Sequence, residues 1–392
     1  MLVNKVQAIK LVFMRELRRM VSRPVYVLMT IIIPLGFLLF FGTLMPEGLP
    51  QRLPIGIVDH DNSSLSRNII RQIDATQQTR VEASYLHFSE ARTAMQKGEI
   101  FGFITIPDHL KTDVMSGLQP KIDFYYNQIY LIPGSLVLKN LSTMLTTVSA
   151  GANLQARQAR GQTTEASMGQ ILPISPEFHA IGNPYINYSV YLINVLLPGL
   201  LQLMILITTV YCIGIELKKN SSKRWLRIAK GSMFNALIGK LLPYTIIFTC
   251  LAFVYDICLF KIMHYPLNNS IGWMFLASFF LVIAAQSIAV LMIGVFPVLR
   301  DGLSFAGLYG MLAFSYSGLS FPIEGMPALL QGLSYLFPLR WFFKIYQGIA
   351  LNGTSPGYAI PYYALMLLFL ILPVLIWKRL RKAMIEQTYP KK

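Results

Sequence analysis

The feature that most constrains this chain is a series of apolar stretches, each about 20 residues long and nearly free of charge. A helix rising about 1.5 Å per residue needs about 20 such residues to cross a hydrocarbon layer of about 30 Å. With 54% hydrophobic and only 13% charged residues, the chain is more apolar than an ordinary soluble protein. The sequence predicts an α-helical membrane protein with six transmembrane helices at residues 25–45, 188–214, 237–262, 272–298, 302–321 and 358–377.

Residues 1–24 have the pattern of an amphipathic helix. Apolar side chains recur at steps of three and four: Val6, Ile9, Phe13, Leu17 and Met20. Cations lie mostly on the other side: Lys5, Arg15, Arg18 and Arg19. We expect a cytoplasmic helix lying in the headgroup layer, with an ordinary solvated basic helix as the alternative. The apolar run that follows is too long for a signal peptide and predicts an anchor.

The formal net charge of +16 is concentrated beside apolar segments, in residues 1–24, 216–240 and 378–392. This is the positive-inside pattern, so both termini, including a basic tail at 378–392, are expected in the cytoplasm. Such a distribution favours membrane lipids as partners and argues against nucleic acid.

Residues 46–187 differ from the rest of the chain, because their acidic and basic residues are nearly balanced and apolar runs give way to shorter patterns. Strands are expected at 53–59, 81–88, 100–106 and 121–126. Helices are expected after a cap at Ser63 or Ser64, at 89–97 and at 136–158. This alternation predicts an inserted α/β domain, which the topology places outside the cytoplasm.

Residues 322–357 are apolar but interrupted by Pro322, Pro327 and Pro338. Prolines break a straight helix, so we expect a re-entrant or interfacial helical pair on the outer side.

No catalytic signature is evident in the sequence. Gly239-Lys240 is the nearest approach to a phosphate loop, but Leu241 stands where a magnesium-binding hydroxyl belongs, so these residues more simply mark a helix start. The five histidines lack metal-ligand spacing. Asp59, His60 and Asp61 are close together, but they follow a predicted strand and indicate a turn rather than a metal site.

Three polar residues in predicted spans are candidates for a substrate path. Asp256 is acidic inside a span, where burial of charge is costly, although near Lys261 at the outer end it could instead reach the interface or pair locally. Gln202 and Gln286 could line the same path or form hydrogen bonds between helices.

Residues 215–236 join two predicted spans on the cytoplasmic side and form a basic amphipathic segment. We expect Trp225 and Leu226 to be an exposed docking knob for a partner, or alternatively an interfacial anchor. Glu216, Arg224 and Arg227 complete the candidate coupling residues.

Taken together, these segments resemble the permease subunits of bacterial type-2 ATP-binding-cassette (ABC-2) exporters with a large periplasmic insertion. The resemblance covers essentially the whole length and rests on the order of the segments. Local sequence also supports it, at 53–61, 216–240, 321–327 and 337–340.

The resemblance implies a multi-pass protein of the bacterial inner membrane that exports a drug-like, lipid or glycan substrate. Its partners would be cytoplasmic ABC ATPase subunits, a second permease copy or paralogue, and a periplasmic adaptor. ATP and magnesium would be used by the ATPase, and this chain would bind no cofactor and catalyse no reaction.

Two other classes stay open on the residues alone. One is a membrane-anchored sensor or scaffold whose α/β domain binds an external ligand, and the other is an ion-coupled secondary transporter. Six spans exceed what an anchor needs, and a secondary transporter would be expected to carry more buried charge than Asp256.

Overall fold

The structure, a computed structural model, describes residues 2–44, 48–129, 131–159, 187–319 and 321–386, together with residues 161, 163 and 183. The end of the first predicted span at Met45, much of the predicted insertion after residue 159, and the end of the basic tail after residue 386 lie outside the described residues. The chain forms two compact units. A helical unit contains Met1–Gly48 and His179–Lys392, and a sheet unit contains Leu49–Phe178.

The elements, in chain order, are α1 (Leu2–Ser22), α2 (Pro24–Leu44), β1 (Leu53–Asp59), α3 (Ser64–Asp74), β2 (Thr79–Tyr85), α4 (Phe88–Gln96), β3 (Gly102–Ile106), α5 (Leu110–Ser116), β4 (Asp123–Tyr126), α6 (Leu131–Ala159), α7 (Tyr188–Lys218), α8 (Ser222–Ile228), α9 (Met233–Ile262), α10 (Ile271–Val295), α11 (Leu299–Ser315), α12 (Ala328–Ser334), α13 (Pro338–Ile345) and α14 (Pro356–Glu386).

Among the described residues, five helices are long and apolar enough to cross a membrane, judged by length and composition: α2, α7, α9, α10 and α14. Each overlaps one predicted span. The remaining predicted span, 302–321, overlaps α11, which has 17 residues and is therefore about 26 Å long. The sixth span stays a prediction.

Helix α7 is the centre of the helical unit, packing against α10 and α11. It begins where the Asn187 side chain accepts a hydrogen bond from the Val190 amide at 3.2 Å, which caps the first turn. Its end differs from the predicted boundary at 214, because the helix continues to Lys218 and includes Glu216. The reason is that Glu216 finds cationic partners inside the protein, as described below.

Residues 322–357 contain two short helices, α12 and α13, as the prolines indicated. Arg340 on α13 is buried against the rings of Tyr335 and Trp341, at 4.5 and 4.8 Å from the ring centres. A guanidinium group over an aromatic ring gains a favourable cation–π interaction. Whether the pair lies at the outer membrane surface stays a prediction.

The sheet unit has four strands in the order β2-β1-β3-β4. Strand β1 pairs in parallel with β2 and β3, and β4 is antiparallel to β3. Side chains alternate between faces along a strand. Accordingly, Ile55 and Ile57 join a core with α3, α5 and α6, whereas Val58 joins a second core with α4.

The predicted strand at 53–59 is confirmed, and Ser63 caps α3 by accepting hydrogen bonds from the Leu65 and Ser66 amides. Strand β2 lies slightly earlier than the predicted 81–88, because Phe88 already begins α4. The turn after β1 is also present, since Asp59 accepts hydrogen bonds from two following amides at 3.1 Å each.

Candidate coupling site

The candidate site begins where α1 crosses α9 at Gly239. A β-carbon placed on Gly239 would lie 2.7 Å from the Val12 β-carbon and 2.8 Å from the Ile9 carbonyl oxygen. Only glycine permits this approach. One turn beyond the crossing on α1, Glu16 is brought beside Lys240, and both side chains are fully buried. The Gly-Lys pair that resembled part of a phosphate loop therefore serves helix packing.

The buried stripe of α1 contains Ala8, Val12, Glu16 and Met20, so Met20 is the one buried member of the apolar set predicted from the periodicity. Of the predicted set, Val6 is 64% exposed and Ile9, Phe13 and Leu17 are partly buried. Their exposure leaves an apolar side free to meet lipid, so the predicted interfacial placement of α1 stays open.

Glu216 of α7 is surrounded by cations. Arg15 contacts it twice, with Nη2 donating to Oε2 at 3.0 Å and Nη1 lying 2.8 Å from Oε1. Arg19 and the Ser221 hydroxyl also donate to this carboxylate. Lys240 donates its Nζ to Oε1 at 3.0 Å. Hydrogen bonds between ionised groups, such as those from Arg15 and Lys240 to Glu216, are shorter and stronger than those between neutral groups.

Glu16 completes the cluster, which we call the ion network and define as Arg15, Glu16, Arg19, Glu216 and Lys240. Lys240 donates to Glu16 Oε2 at 2.6 Å, and the Tyr244 hydroxyl donates to Oε1 at 2.9 Å. Three cations therefore face two carboxylates, which joins α1, α7 and α9.

The electrostatics of the network favour its charged form. Burial by itself would lower the pKa of the Arg19 guanidinium, but the neighbouring Glu216, Tyr26 and Glu16 side chains together outweigh burial and raise that pKa above its ordinary value. Removing one partner of a buried pair typically costs about 3–5 kcal/mol, because the other charge is left unpaired. The network is therefore a rigid joint between three helices.

The predicted exposure of Trp225 is wrong. Trp225 on α8 is fully buried, with Lys240 Nζ 4.9 Å from its ring centre, and Leu226 is only 7% exposed. Because α8 turns its apolar side inward, its basic side is outside, and Arg224 and Arg227 are exposed. Ser222, at the start of α8, donates to the Met384 carbonyl oxygen of α14 at 2.8 Å. The joint thus extends from the ion network to α8.

Among the described residues, no hydrogen bond or ion pair joins the three predicted path residues to the ion network. Gln202 of α7 is fully buried, and neither polar atom of its side chain has a hydrogen-bond partner among the described residues. Asp256 accepts a hydrogen bond from Ser278 at 2.7 Å, so Ser278 rather than Lys261 is its partner. Gln286 lies 2.8 Å from the Thr245 hydroxyl.

Glu16, Lys240 and Tyr244 were not among the residues predicted to act here. Two signals were present in the sequence: Glu16 is the only acidic residue of the basic segment 1–24, and Lys240 is a cation inside a predicted span. Such charges need partners, but the sequence does not show which ones.

The described residues contain no cluster of three or more His, Cys, Asp or Glu side chains that could hold a metal ion.

Comparison with known proteins gives two findings. Residues 24–378 match the family model described as ABC-2 family transporter protein. The chain is also similar to the linearmycin resistance permease protein LnrN of Bacillus subtilis (strain 168), with 21% identity over 353 residues. That alignment covers 86% of this chain and 90% of the relative.

Proposed function

Because the chain belongs to the ABC-2 family transporter proteins, with a family match over residues 24–378, we propose that it is the permease subunit of an ATP-driven exporter in the bacterial inner membrane. ATP hydrolysis is assigned to a separate cytoplasmic ATPase subunit, which uses the ATP and magnesium. Family membership favours this function over the sensor and the secondary transporter considered above.

The observation that carries the proposal is the ion network. A movement of the ATPase can be passed to transmembrane helices only through contacts that keep their geometry during that movement. Helix α8 is tied to α9 by Trp225 against Lys240, and Lys240 is tied to α1 and α7 through both carboxylates. A displacement of α8 would therefore be passed to α7 and α9 together.

The docking contact is assigned to the exposed basic side of α8, with Arg224 and Arg227, because Trp225 and Leu226 are used internally. Glu216 acts in coupling by positioning, through its contacts with Arg15 and Lys240. Charged rim residues mainly govern encounter and specificity at an interface.

The proposed topology has six spans, with α11 as the fifth, both termini in the cytoplasm and residues 46–187 outside. A second permease copy or paralogue completes the pore, and a periplasmic adaptor is an additional partner. The resistance named for the Bacillus relative favours a drug-like substrate here, ahead of a lipid or a glycan. Gln202, Asp256 and Gln286 are the candidates to meet it.

The first test is co-purification. The chain is expressed with the ATPase gene from its own chromosomal neighbourhood and isolated in mild detergent, and ATP hydrolysis is measured in lipid with and without candidate drugs. We expect a stable complex whose ATPase activity rises with a transported drug. A chain that purifies intact without any ATPase contradicts the proposal.

The joint can be tested with a matched pair of conservative variants. Tyr244→Phe removes only the hydrogen bond to Glu16, and Tyr255→Phe on the same helix removes only a hydrogen bond to the Pro34 carbonyl oxygen. Tyr244→Phe should lower drug-stimulated ATPase activity about fivefold while the complex stays assembled, because one hydrogen bond contributes about 1 kcal/mol. Tyr255→Phe should leave that stimulation unchanged. Equal behaviour of the two variants would argue against coupling through the network.

The proposed topology is tested separately, by the labelling of single cysteines. After replacement of the native cysteines, of which Cys250 is exposed, single cysteines at 60–129 should react with impermeant thiol reagents added outside cells. Cysteines at 218–230 should react only after permeabilisation. Labelling of 218–230 in intact cells would overturn the six-span arrangement.

A further inference from the structure

An apolar groove lies between α9, α10 and α14, with a cavity volume of about 330 Å³. Leu241, Ile283 and Val290 line one side, and Val374 and Trp377 line the other. This volume is at the lower end of the range for small-molecule sites. An apolar chain fits such a lining.

One polar group in this groove, the amide nitrogen of Gln286, has no hydrogen-bond partner among the described residues. Gln286 is 4% exposed, and its amide oxygen is held by Thr245. The neighbouring Ser287 hydroxyl already donates to the Ile283 carbonyl oxygen at 2.8 Å. A buried donor without a partner is costly, so the Gln286 amide favours a ligand that brings an acceptor.

The groove continues into a positive surface. Residues four positions apart share a helix face, so Lys378 follows Val374 and Arg381 follows Trp377 on the same side of α14. Lys378 and Arg381 are exposed and have no carboxylate partner among the described residues, whereas Lys382 lies 3.8 Å from Glu386. Arg379 is directed elsewhere and donates to the Val295 carbonyl oxygen at 2.9 Å.

The contact between Arg379 and Val295 indicates how far the basic surface lies from Gln286. It brings the start of the basic surface to the level of Val295, and Gln286 lies nine residues earlier on α10, which corresponds to about 14 Å along the helix. The groove therefore offers cations at one end, a hydrogen-bond donor about 14 Å deeper, and apolar walls between them.

We propose that this groove binds a long-chain amphiphile with an acidic head group and an oxygen in the middle of its chain. The head group lies at Lys378 and Arg381, the chain lies along α14, and the mid-chain oxygen accepts a hydrogen bond from Gln286. This inference rests on the proposed function in naming the substrate class. An ordinary phospholipid matches the head and the chain but brings no acceptor to the depth of Gln286.

The test uses the purified permease alone in lipid nanodiscs, so it does not depend on an ATPase. Binding of 12-hydroxystearate is compared with binding of stearate, which has the same head and chain but no hydroxyl. We expect the hydroxylated acid to bind about fivefold more tightly, which is the effect of one hydrogen bond. Gln286→Leu should abolish this difference without weakening stearate binding.

The two ends of the groove are tested separately. Lys378→Ala with Arg381→Ala should weaken binding of both acids about tenfold, whereas Lys218→Ala with Lys219→Ala removes the same charge elsewhere and should not. Val374→Trp fills the groove and should block binding, and Leu375→Trp, one residue on and outside the groove, is its control.

Equal affinity for the two acids, or loss of the hydroxyl preference in the control variants, would overturn the inference and leave only a lipid-facing groove. That result would not affect the proposed function, because ATPase co-purification and drug-stimulated hydrolysis are measured independently.

Discussion

Two regions of the helical unit bury charge in opposite ways. In the ion network, two carboxylates face three cations, and hydroxyl groups of Ser221 and Tyr244 add further hydrogen bonds. Asp256, on the same helix as Lys240, is equally buried, but its partner is the single hydroxyl of Ser278, and the described residues provide no cation for it.

The comparison distinguishes charged groups held by several partners from polar groups that are free to bind a ligand. A carboxylate with several ionic partners is fixed in position, and it holds together the elements that carry those partners. A polar group with one partner or none can change partners when a ligand arrives. By this criterion the ion network is a joint, whereas Asp256, Gln202 and Gln286 stay the proposed candidates to meet a substrate.

Removal of the central cation of the joint should have the largest effect. Lys240→Met leaves the buried Glu16 carboxylate with only Arg19, 3.9 Å away, as a cationic partner, so the free energy of unfolding should fall by about 3–5 kcal/mol. Thermal unfolding in detergent measures the loss. Lys261→Met, an exposed cation on the same helix, is the control and should change little. A network variant as stable as its control would show that the joint is not structural.

Widening the helix crossing should have a smaller effect. Gly239→Ala places a β-carbon against Val12 and the Ile9 carbonyl oxygen, which should cost about 1–3 kcal/mol and loosen α1. Protease access to α1 and thermal unfolding report both consequences. Gly307→Ala on α11, where a β-carbon meets nothing within 4 Å, should be neutral or slightly stabilising. The prediction fails when the two variants behave alike.

The other side of the comparison predicts tolerance. Asp256→Asn keeps an oxygen that can accept from Ser278, so the free energy of unfolding should change by less than about 1 kcal/mol. Glu216→Gln, which loses its ion pairs, should cost several times as much. Chemical denaturation of both variants under one condition compares them directly. A loss at Asp256 equal to that at Glu216 would reveal an ionic partner for Asp256.

The smallest effect is expected on the surface of α8. Arg224→Glu with Arg227→Glu should weaken ATPase binding only a few-fold, with a strong dependence on salt, because exposed charges are screened. Pull-down at low and high ionic strength measures this. Lys97→Glu with Lys111→Glu makes the same charge change in the sheet unit and should leave ATPase binding intact. A loss that is independent of salt would point to desolvated contacts instead.

The sequence was informative about helices and strands because their signals are local. Apolar runs located α2, α7, α9, α10 and most of α14, and alternation located β1 to its residues. The helix that contains the second predicted span extends beyond the predicted boundary at residue 214, to Lys218. Glu216 looks like the end of an apolar helix, but cations 24 and about 200 residues away in the chain allow the helix to include it.

The side of a helix that becomes buried was less predictable. On α8 the basic and aromatic residues indicated an exposed Trp225, but the tryptophan packs against Lys240. On α1 the fully buried positions include Ala8, Val12 and Glu16 instead of Ile9, Phe13 and Leu17, because the small Ala8 and Val12 allow close approach to Gly239. Periodicity shows that a helix has two sides, but the partner helix decides which side it contacts.

By itself, the sequence determined that this chain enters a membrane, that a strand-forming segment interrupts its apolar stretches, and which family it resembles. These properties depend on the composition and order of residues along the chain, because each stretch partitions between water and lipid according to its own residues. Only the tertiary structure decided that Glu16, Glu216 and Lys240 form one joint and that Gln286 is left with an unused donor. The physical reason is that a buried charge or donor is satisfied by whatever folding brings within about 3 Å, regardless of distance in sequence.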